Sequence, residues 1–220
     1  MQRTLEPELM DDAWQAQAYA SADFSEPNTA FLQHFTGRFP DFGTGSVVDL
    51  GCGPGDIALR LARLFPRCAV TGIDGSGAML ALARRALARE PGLADRVRFE
   101  QAMLPLAAAR KHDAVISNSL LHHLPDPSAL WSTVCAMGRP GAAVLVMDLA
   151  RPESDAAARA IVQRHAGAEP EVLRQDFYNS LLAAFEPDEV AGQLRVAGLA
   201  ALQVATVSDR HFLVSGQLPA

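Results

Sequence analysis

The run Val47-Val48-Asp49-Leu50-Gly51-Cys52-Gly53-Pro54-Gly55-Asp56 puts a carboxylate near the end of an apolar strand, followed by a glycine-rich turn that feeds a helix. Glycines let the backbone turn sharply and lie against a ligand, and the following helix offers unpaired N–H groups, so this is a nucleotide-binding corner. The dinucleotide fingerprint Gly-x-Gly-x-x-Gly fails, because the third glycine counted from Gly51 falls on Asp56. The phosphate-loop reading fails as well, since no Gly-Lys-Ser/Thr follows. Asp49 and Asp56 on either side of the turn would serve a pyrophosphate poorly. They suit a ligand that carries an ammonium group and a sulfonium.

Three further segments follow in order. Val70-Thr71-Gly72-Ile73-Asp74 reads as a second strand that ends in an acid, Gly75 then leads into Ser76-Gly77-Ala78-Met79, and His112 to Pro127 contains a strand ending near Asn118 and the doublet His122-His123. With these in place, the chain resembles the class I S-adenosylmethionine-dependent methyltransferases over about positions 45 to 150. The resemblance implies a three-layer Rossmann-like α/β fold, with a mostly parallel seven-stranded sheet whose last strand is antiparallel. It also implies S-adenosyl-L-methionine as cofactor and S-adenosyl-L-homocysteine as product. Asp49, Gly51, Cys52, Gly53 and Gly55 would then form the first cofactor turn. Asp74 would accept the ribose hydroxyls, with Gly75 next to it among the cofactor-binding residues, Met79 near the adenine and Asn118 at the fourth strand. Many relatives place an acid after strand three, but here the text runs Val97-Arg98-Phe99-Glu100-Gln101-Ala102-Met103. Either main-chain groups near Ala102 and Met103 hold the adenine, or Gln101 stands in for the acid.

The elements needed to position these residues can be read from the pattern. Residues 6–21 have helical character, 22–28 form a turn-rich link, and a second helix runs through Phe31, Leu32 and Phe35. Strands and helices then alternate, which predicts parallel strands with crossover helices. Ser76 can cap a helix with Met79, Leu80 and Ala83 on its apolar face, and Ser128 can begin another. Gly138-Arg139-Pro140-Gly141 reads as a turn before the buried strand Ala142 to Asp148. Leu202–Val207 and His211–Ser215, joined by Ser208-Asp209-Arg210, read as a closing hairpin. The chain divides into an N-terminal helical segment (1–42), a cofactor-binding core (45–150), a helical lid insertion (151–186) and a last helix with strand hairpin (187–220), all in one domain.

Ligands of open α/β sheets bind beyond the carboxyl ends of the strands. The catalytic candidates are therefore His122 and His123, whose imidazoles could take a proton from an attacking oxygen, nitrogen or sulfur, with His122 the one expected to face the pocket. Tyr19 and Tyr178, the only tyrosines, are expected to close the pocket from the N-terminal segment and the insertion, with Asp23 and Asn179 nearby. Their plain alternative is a half-buried ring with its hydroxyl at the surface. Arg210 and His211 could reach the pocket mouth, although a solvated turn is the simpler reading, and Asp11-Asp12 reads as a helix-starting or solvated pair. Cys52 reads as a small residue filling the turn, because a reactive thiolate needs positive neighbours.

Composition narrows the function classes. A net charge of −6, with Lys111 the only lysine and the arginines scattered, argues against a nucleic-acid backbone as partner. Cys52, Cys68 and Cys135 have neither disulfide nor metal spacing, so no metal is expected and a reducing, cytoplasmic setting is. There is neither a signal-peptide pattern at the start nor an apolar run long enough for a bilayer. The expected function is methyl transfer to a small-molecule nucleophile by in-line displacement, in a monomer or homodimer. The rivals are a tRNA or rRNA methyltransferase and a cofactor-binding regulatory subunit without transferase activity.

Overall fold

The structure, a computed structural model, describes residues 1–6, 13–21, 24–107 and 110–219. Asp11, Asp12 and Asp23 lie outside the described residues. The helices are α1 (Ala13–Ser21), α2 (Ser25–Arg38), α3 (Asp56–Leu64), α4 (Gly77–Ala88), α5 (Ser128–Met137), α6 (Asp155–Ala166), α7 (Glu171–Ala183) and α8 (Pro187–Val196). The strands are β1 (Thr44–Leu50), β2 (Arg67–Asp74), β3 (Val97–Gln101), β4 (His112–Asn118), β5 (Gly138–Leu149), β6 (Gln203–Thr206) and β7 (His211–Gln217). They form one sheet in the order β3-β2-β1-β4-β5-β7-β6. The first five strands pair in parallel, and β7 runs antiparallel to both β5 and β6. Among the described residues, no helix is long and apolar enough to cross a membrane.

Successive side chains of a strand point to opposite faces, so continuous apolar strands must be covered on both sides. Val47, Val70, Ile116 and Leu145 face one core layer, where Phe31 and Phe35 of α2, Leu61 of α3 and Leu80 of α4 pack. Their neighbours Val48, Val115, Val144 and Val146 face the other, closed by Leu130, Trp131 and Val134 of α5 and Val190 and Leu194 of α8. The central strands therefore have fixed faces, and their carboxyl ends emerge together along one edge. A third, smaller cluster joins Leu149 to Ala158 and Val162 of α6 and to Leu181 and Ala184 at the end of α7.

Two boundaries differ from the sequence reading. Ser25–Asn28 is the first turn of α2 rather than a link; Pro27 is tolerated there because the first N–H groups of a helix have no acceptor to lose. β5 begins at Gly138, because His112 pairs with Gly138 and a register shift then brings Ala114 opposite Ala143. The exposed Arg139, Pro140 and Gly141 are absorbed in that irregularity. The expected caps are present, with Ser76 Oγ accepting from Met79 N at 3.1 Å and Pro187 opening α8.

Phe35 is fully buried at the centre of an aromatic group, 5.2 Å from Phe39 and Phe42 and 5.8 Å from Phe65 between ring centres. Phe35→Ala should lower the unfolding free energy by about 3–5 kcal/mol. Val196→Ala, at a position 92% exposed, should change it by less than about 0.5 kcal/mol. Urea unfolding followed by circular dichroism checks both.

Candidate active site at the carboxyl edge of the sheet

The turn after β1 is held from beneath. Gly51 N and Cys52 N both donate to Ile73 O of β2, at 2.8 and 3.0 Å. Gly51 has φ +70°, and a Cβ there would stand 2.8 Å from the Leu120 side chain. Gly53, at φ +52°, has open space where its Cβ would project, so this is where a ligand can lie against the backbone. Cys52 is buried, and burial followed by the charges of Asp49 and Asp74 pushes its thiol pKa well up, which suits a filler of the turn and not a nucleophile. Asp56 does not face the turn alone as a free charge: Asn28 Nδ2 donates to its carboxylate at 2.8 Å and Arg60 Nε at 2.6 Å.

Beside the turn stand two carboxylates with different surroundings. Asp49 is buried, its Oδ2 has no hydrogen-bond partner, and burial together with the nearby Asp74 charge raises its pKa to about 8. Asp74 accepts from Gly53 N and from Ser76 N, both at 2.8 Å, and so cinches the first glycine turn to the start of α4. Met79 is buried at that start. Gln101 donates through Nε2 to Gly75 O at 3.0 Å, which ties the end of β3 to the turn after β2. Ala102 N donates to Asp74 O at 3.0 Å; Ala102 is half-buried and Met103 exposed. Asn118, at the end of β4, has its Oδ1 buried without a partner.

The next strand end carries a third carboxylate, Asp148, which accepts from Leu121 N at 2.6 Å and Leu149 N at 2.7 Å and lies 2.5 Å from His122 Nδ1. Burial alone would raise its pKa; the His122 imidazole and the Leu149 amide outweigh burial and lower it. Burial alone would likewise depress His122, but Asp148 and then Glu6 outweigh burial and raise its pKa. His122 is only 3% exposed and His123 25%. The sequence preference is thus reversed: His122 is the interior histidine, because its Nδ1 is drawn to Asp148, and His123 is the one that reaches solvent.

The first six residues, which sequence reasoning passed over, run across this doublet. Arg3 donates to the carbonyls of Ala183, His122 and Leu124 at 2.5, 3.0 and 2.9 Å, and its guanidinium lies 3.8 Å over the Phe185 ring. Thr4 N donates to Leu182 O at 3.0 Å, and Glu6 accepts from Ser180 Oγ at 3.1 Å. No spacing signal could have found Arg3 or Glu6, since their partners lie more than a hundred residues away.

Tyr19 of α1 is half-buried with its ring 4.7 Å from that of Phe24, and burial with the fields of Asp74 and Asp148 raises its hydroxyl pKa to about 12. Its hydroxyl thus feels the charges of both strand ends. Tyr178 does not join it in a shared enclosure: its hydroxyl donates to the exposed Asp155 and accepts from Arg159 at 3.3 Å, on the outer side of the α6–α7 pair. Asn179 is likewise bound at the surface, accepting from Gln175 Nε2 at 2.8 Å. His211 Nδ1 lies 2.9 Å from Ser208 Oγ, and burial, followed by the Arg210 charge, lowers its pKa to about 4, so it is neutral at pH 7.

Residues 47–142 match the family described as a methyltransferase domain. A trans-aconitate 2-methyltransferase of Azoarcus sp. (strain BH72) is 32% identical over 134 residues, which is 60% of this chain and 49% of that protein. The chain spans about half the length of this and a second trans-aconitate 2-methyltransferase, from Methylobacterium nodulans, at 34% identity over 60% of the chain and 48% of that protein. Among solved structures, an S-adenosylmethionine-dependent methyltransferase from Aquifex aeolicus superposes with a TM-score of 0.63 at 17% identity, covering 92% of this chain and 97% of that one. The segment 47–142 is therefore a methyltransferase domain by its match, and the glycine turn, the acid-ended second strand and the seven-stranded order fall within or around it.

Proposed function

We propose that the chain binds S-adenosylmethionine along the β1–α3 turn and transfers the methyl group to a small-molecule nucleophile. The observation that carries this reading is Asp49: a buried carboxylate oxygen without a partner, beside a glycine turn that is open at Gly53. A ligand ammonium would supply the missing partner, and a sulfonium cation would gain from the carboxylates around it. When bound, the cofactor supplies a methyl carbon on a sulfonium and departs as S-adenosylhomocysteine.

The chain's own residues then have these tasks. Asp49 and the turn Gly51, Cys52, Gly53 and Gly55 hold the amino-acid end, while Asp74 and Gly75 take the ribose. Met79, Gln101, Ala102 and Met103 surround the adenine, with Asn118 offering its free amide oxygen from β4. Tyr19 covers the space between Asp74 and Asp148, and the 151–186 insertion with residues 1–6 closes over the His122-His123 turn. Orientation of this kind is worth about 7–11 kcal/mol in favourable cases, so no covalent intermediate with the protein is required. A small acceptor is supported by the net charge of −6 and by the names of the trans-aconitate 2-methyltransferases. Three free cysteines are in keeping with a cytoplasmic setting.

Labelled S-adenosylmethionine incubated with the protein and a metabolite extract should give a labelled small product. Label in RNA, or binding without turnover, would each replace this reading.

The raised Asp49 pKa sets a pH signature. Below about pH 8 the free protein holds a proton on Asp49, which a ligand ammonium must displace. The affinity for S-adenosylhomocysteine should therefore rise between about pH 6 and pH 8, by up to about tenfold per unit, and then level off. Asp49→Asn should weaken binding and flatten that profile; a flat profile in the unmodified protein, measured by calorimetry, would take Asp49 out of the site.

Asp74→Ala should weaken S-adenosylhomocysteine by about 10- to 100-fold, the ~1.5–3 kcal/mol of hydrogen bonds to a charged group. It should also lower the melting temperature of the free protein, because Gly53 N and Ser76 N both lose their acceptor. Unchanged affinity in a folded variant would remove Asp74 from the ribose role.

A further inference from the structure

Glu6, His122 and His123 converge on one point from two distant parts of the chain. One oxygen or nitrogen from each lies within 4.8 Å of the others. Glu6 Oε1 is 3.5 Å from His122 Nε2 and 3.0 Å from His123 Nδ1. Neither separation is a hydrogen bond: the first is too long, and His123 Nδ1 is buried without any hydrogen-bond partner despite its short distance to the carboxylate. Three side chains that carry lone pairs and converge on one point can share a proton or coordinate a common metal ion. Ligands about 2.0–2.2 Å from one tetrahedral ion stand roughly 3.3–3.5 Å apart; here the Glu6–His122 separation of 3.5 Å matches, the Glu6–His123 separation of 3.0 Å is shorter, and all three atoms lie within 4.8 Å of one another.

The surroundings agree. His122 has its other nitrogen at 2.5 Å from Asp148 Oδ1, the carboxylate–histidine arrangement that orients a metal-bound imidazole and strengthens its lone pair. Glu6 is itself held by Ser180 Oγ at 3.1 and 3.2 Å to its two oxygens. Arg3, a nearby cation, is committed to the carbonyls of Ala183, His122 and Leu124, and the two carboxylates of Glu6 and Asp148 exceed its charge.

We propose that Glu6, His122 Nε2 and His123 Nδ1 form a binding site for a first-row divalent transition ion, with zinc as the reference occupant. Two imidazoles and one carboxylate are a donor set suited to such an ion, and three protein ligands leave a position open for an oxygen atom of a bound acceptor. His123, a quarter exposed, marks the side from which that oxygen arrives. The ligands come from the chain's first residues and from the turn after β4, so the ion would also pin the N-terminal segment across the doublet. Occupancy is read without any transferase assay, and so it stands or falls separately from the reaction proposed above.

The test uses the 220-residue chain without an affinity tag, loaded with excess zinc, dialysed, and analysed for bound metal by mass spectrometry. One equivalent should remain, and cobalt loading should give visible d–d absorption of a site with nitrogen and oxygen ligands. Glu6→Gln and His123→Ala should each lose at least 100-fold in zinc affinity while circular dichroism stays unchanged. Ser180→Ala, which leaves all three ligands in place, should lose about 10-fold. If the unmodified protein retains no zinc, the three groups share only protons and the proposal is overturned. Equal retention in Glu6→Gln and His123→Ala, which would point to the cysteines, overturns it as well.

Discussion

The carboxylate of Asp148 receives Leu121 N, Leu149 N and the His122 ring at the end of β5, and the site as a whole is organised around these bonds. A buried carboxylate is tolerable only when its charge is met by donors, and here the donors come from two different strand ends. The turn after β4 is thereby tied to β5. The same bonds fix which histidine is interior, and they orient the His122 carbonyl toward the Arg3 guanidinium. Because its pKa is lowered, Asp148 contributes stability at neutral pH that is lost as the pH falls through its folded-state value.

Asp49, two strands away, is pushed in the opposite direction by the opposite circumstance. It is as deeply buried, yet one oxygen has no donor and the nearest charge is that of Asp74, so its pKa climbs to about 8. Its contribution also has the opposite sign. The folded chain binds a proton there that the unfolded chain does not hold above the ordinary carboxylate range, so the free protein loses stability as the pH rises toward about 8. Strain of this kind persists only where the rest of the fold over-determines the geometry, and β1 is buried on both faces. Two carboxylates at one sheet edge thus divide the work: Asp148 holds the site together, and Asp49 is left wanting a cation.

The α6–α7 pair and the first six residues belong to the same construction. The pair has its own apolar cluster around Leu149, at the end of the strand that carries Asp148. Its last turn then offers the carbonyls of Leu182 and Ala183 and the Ser180 hydroxyl to Thr4, Arg3 and Glu6. The outer face of the pair, with Tyr178 bonded to Asp155, takes no part in that contact.

The periodicities of the chain determined the sheet and the cofactor corner. Continuous apolar runs demand strands covered on both faces, alternating helices demand parallel crossovers, and a glycine turn behind an acid-ended strand marks the edge where ligands lie; these are local patterns, whereas the order β3-β2-β1-β4-β5-β7-β6 is decided only when the strands pair. Local pattern also placed Ser76 and Pro187 at helix starts. It misplaced the starts of α2 and β5, where tolerance of proline and a register shift decide. Tertiary structure alone decided what each side chain meets. His122 and His123 are equivalent in sequence, and only the position of Asp148 makes one interior. Sequence offers Tyr19 and Tyr178 both as pocket-closing residues, with Tyr19 slightly favoured, and only helix packing puts Tyr19 against Phe24 and Tyr178 against Asp155. Arg3 and Glu6 gave no signal at all, because a contact across more than a hundred residues is set by how elements dock, and docking depends on the shapes of surfaces that exist only after the sheet has formed.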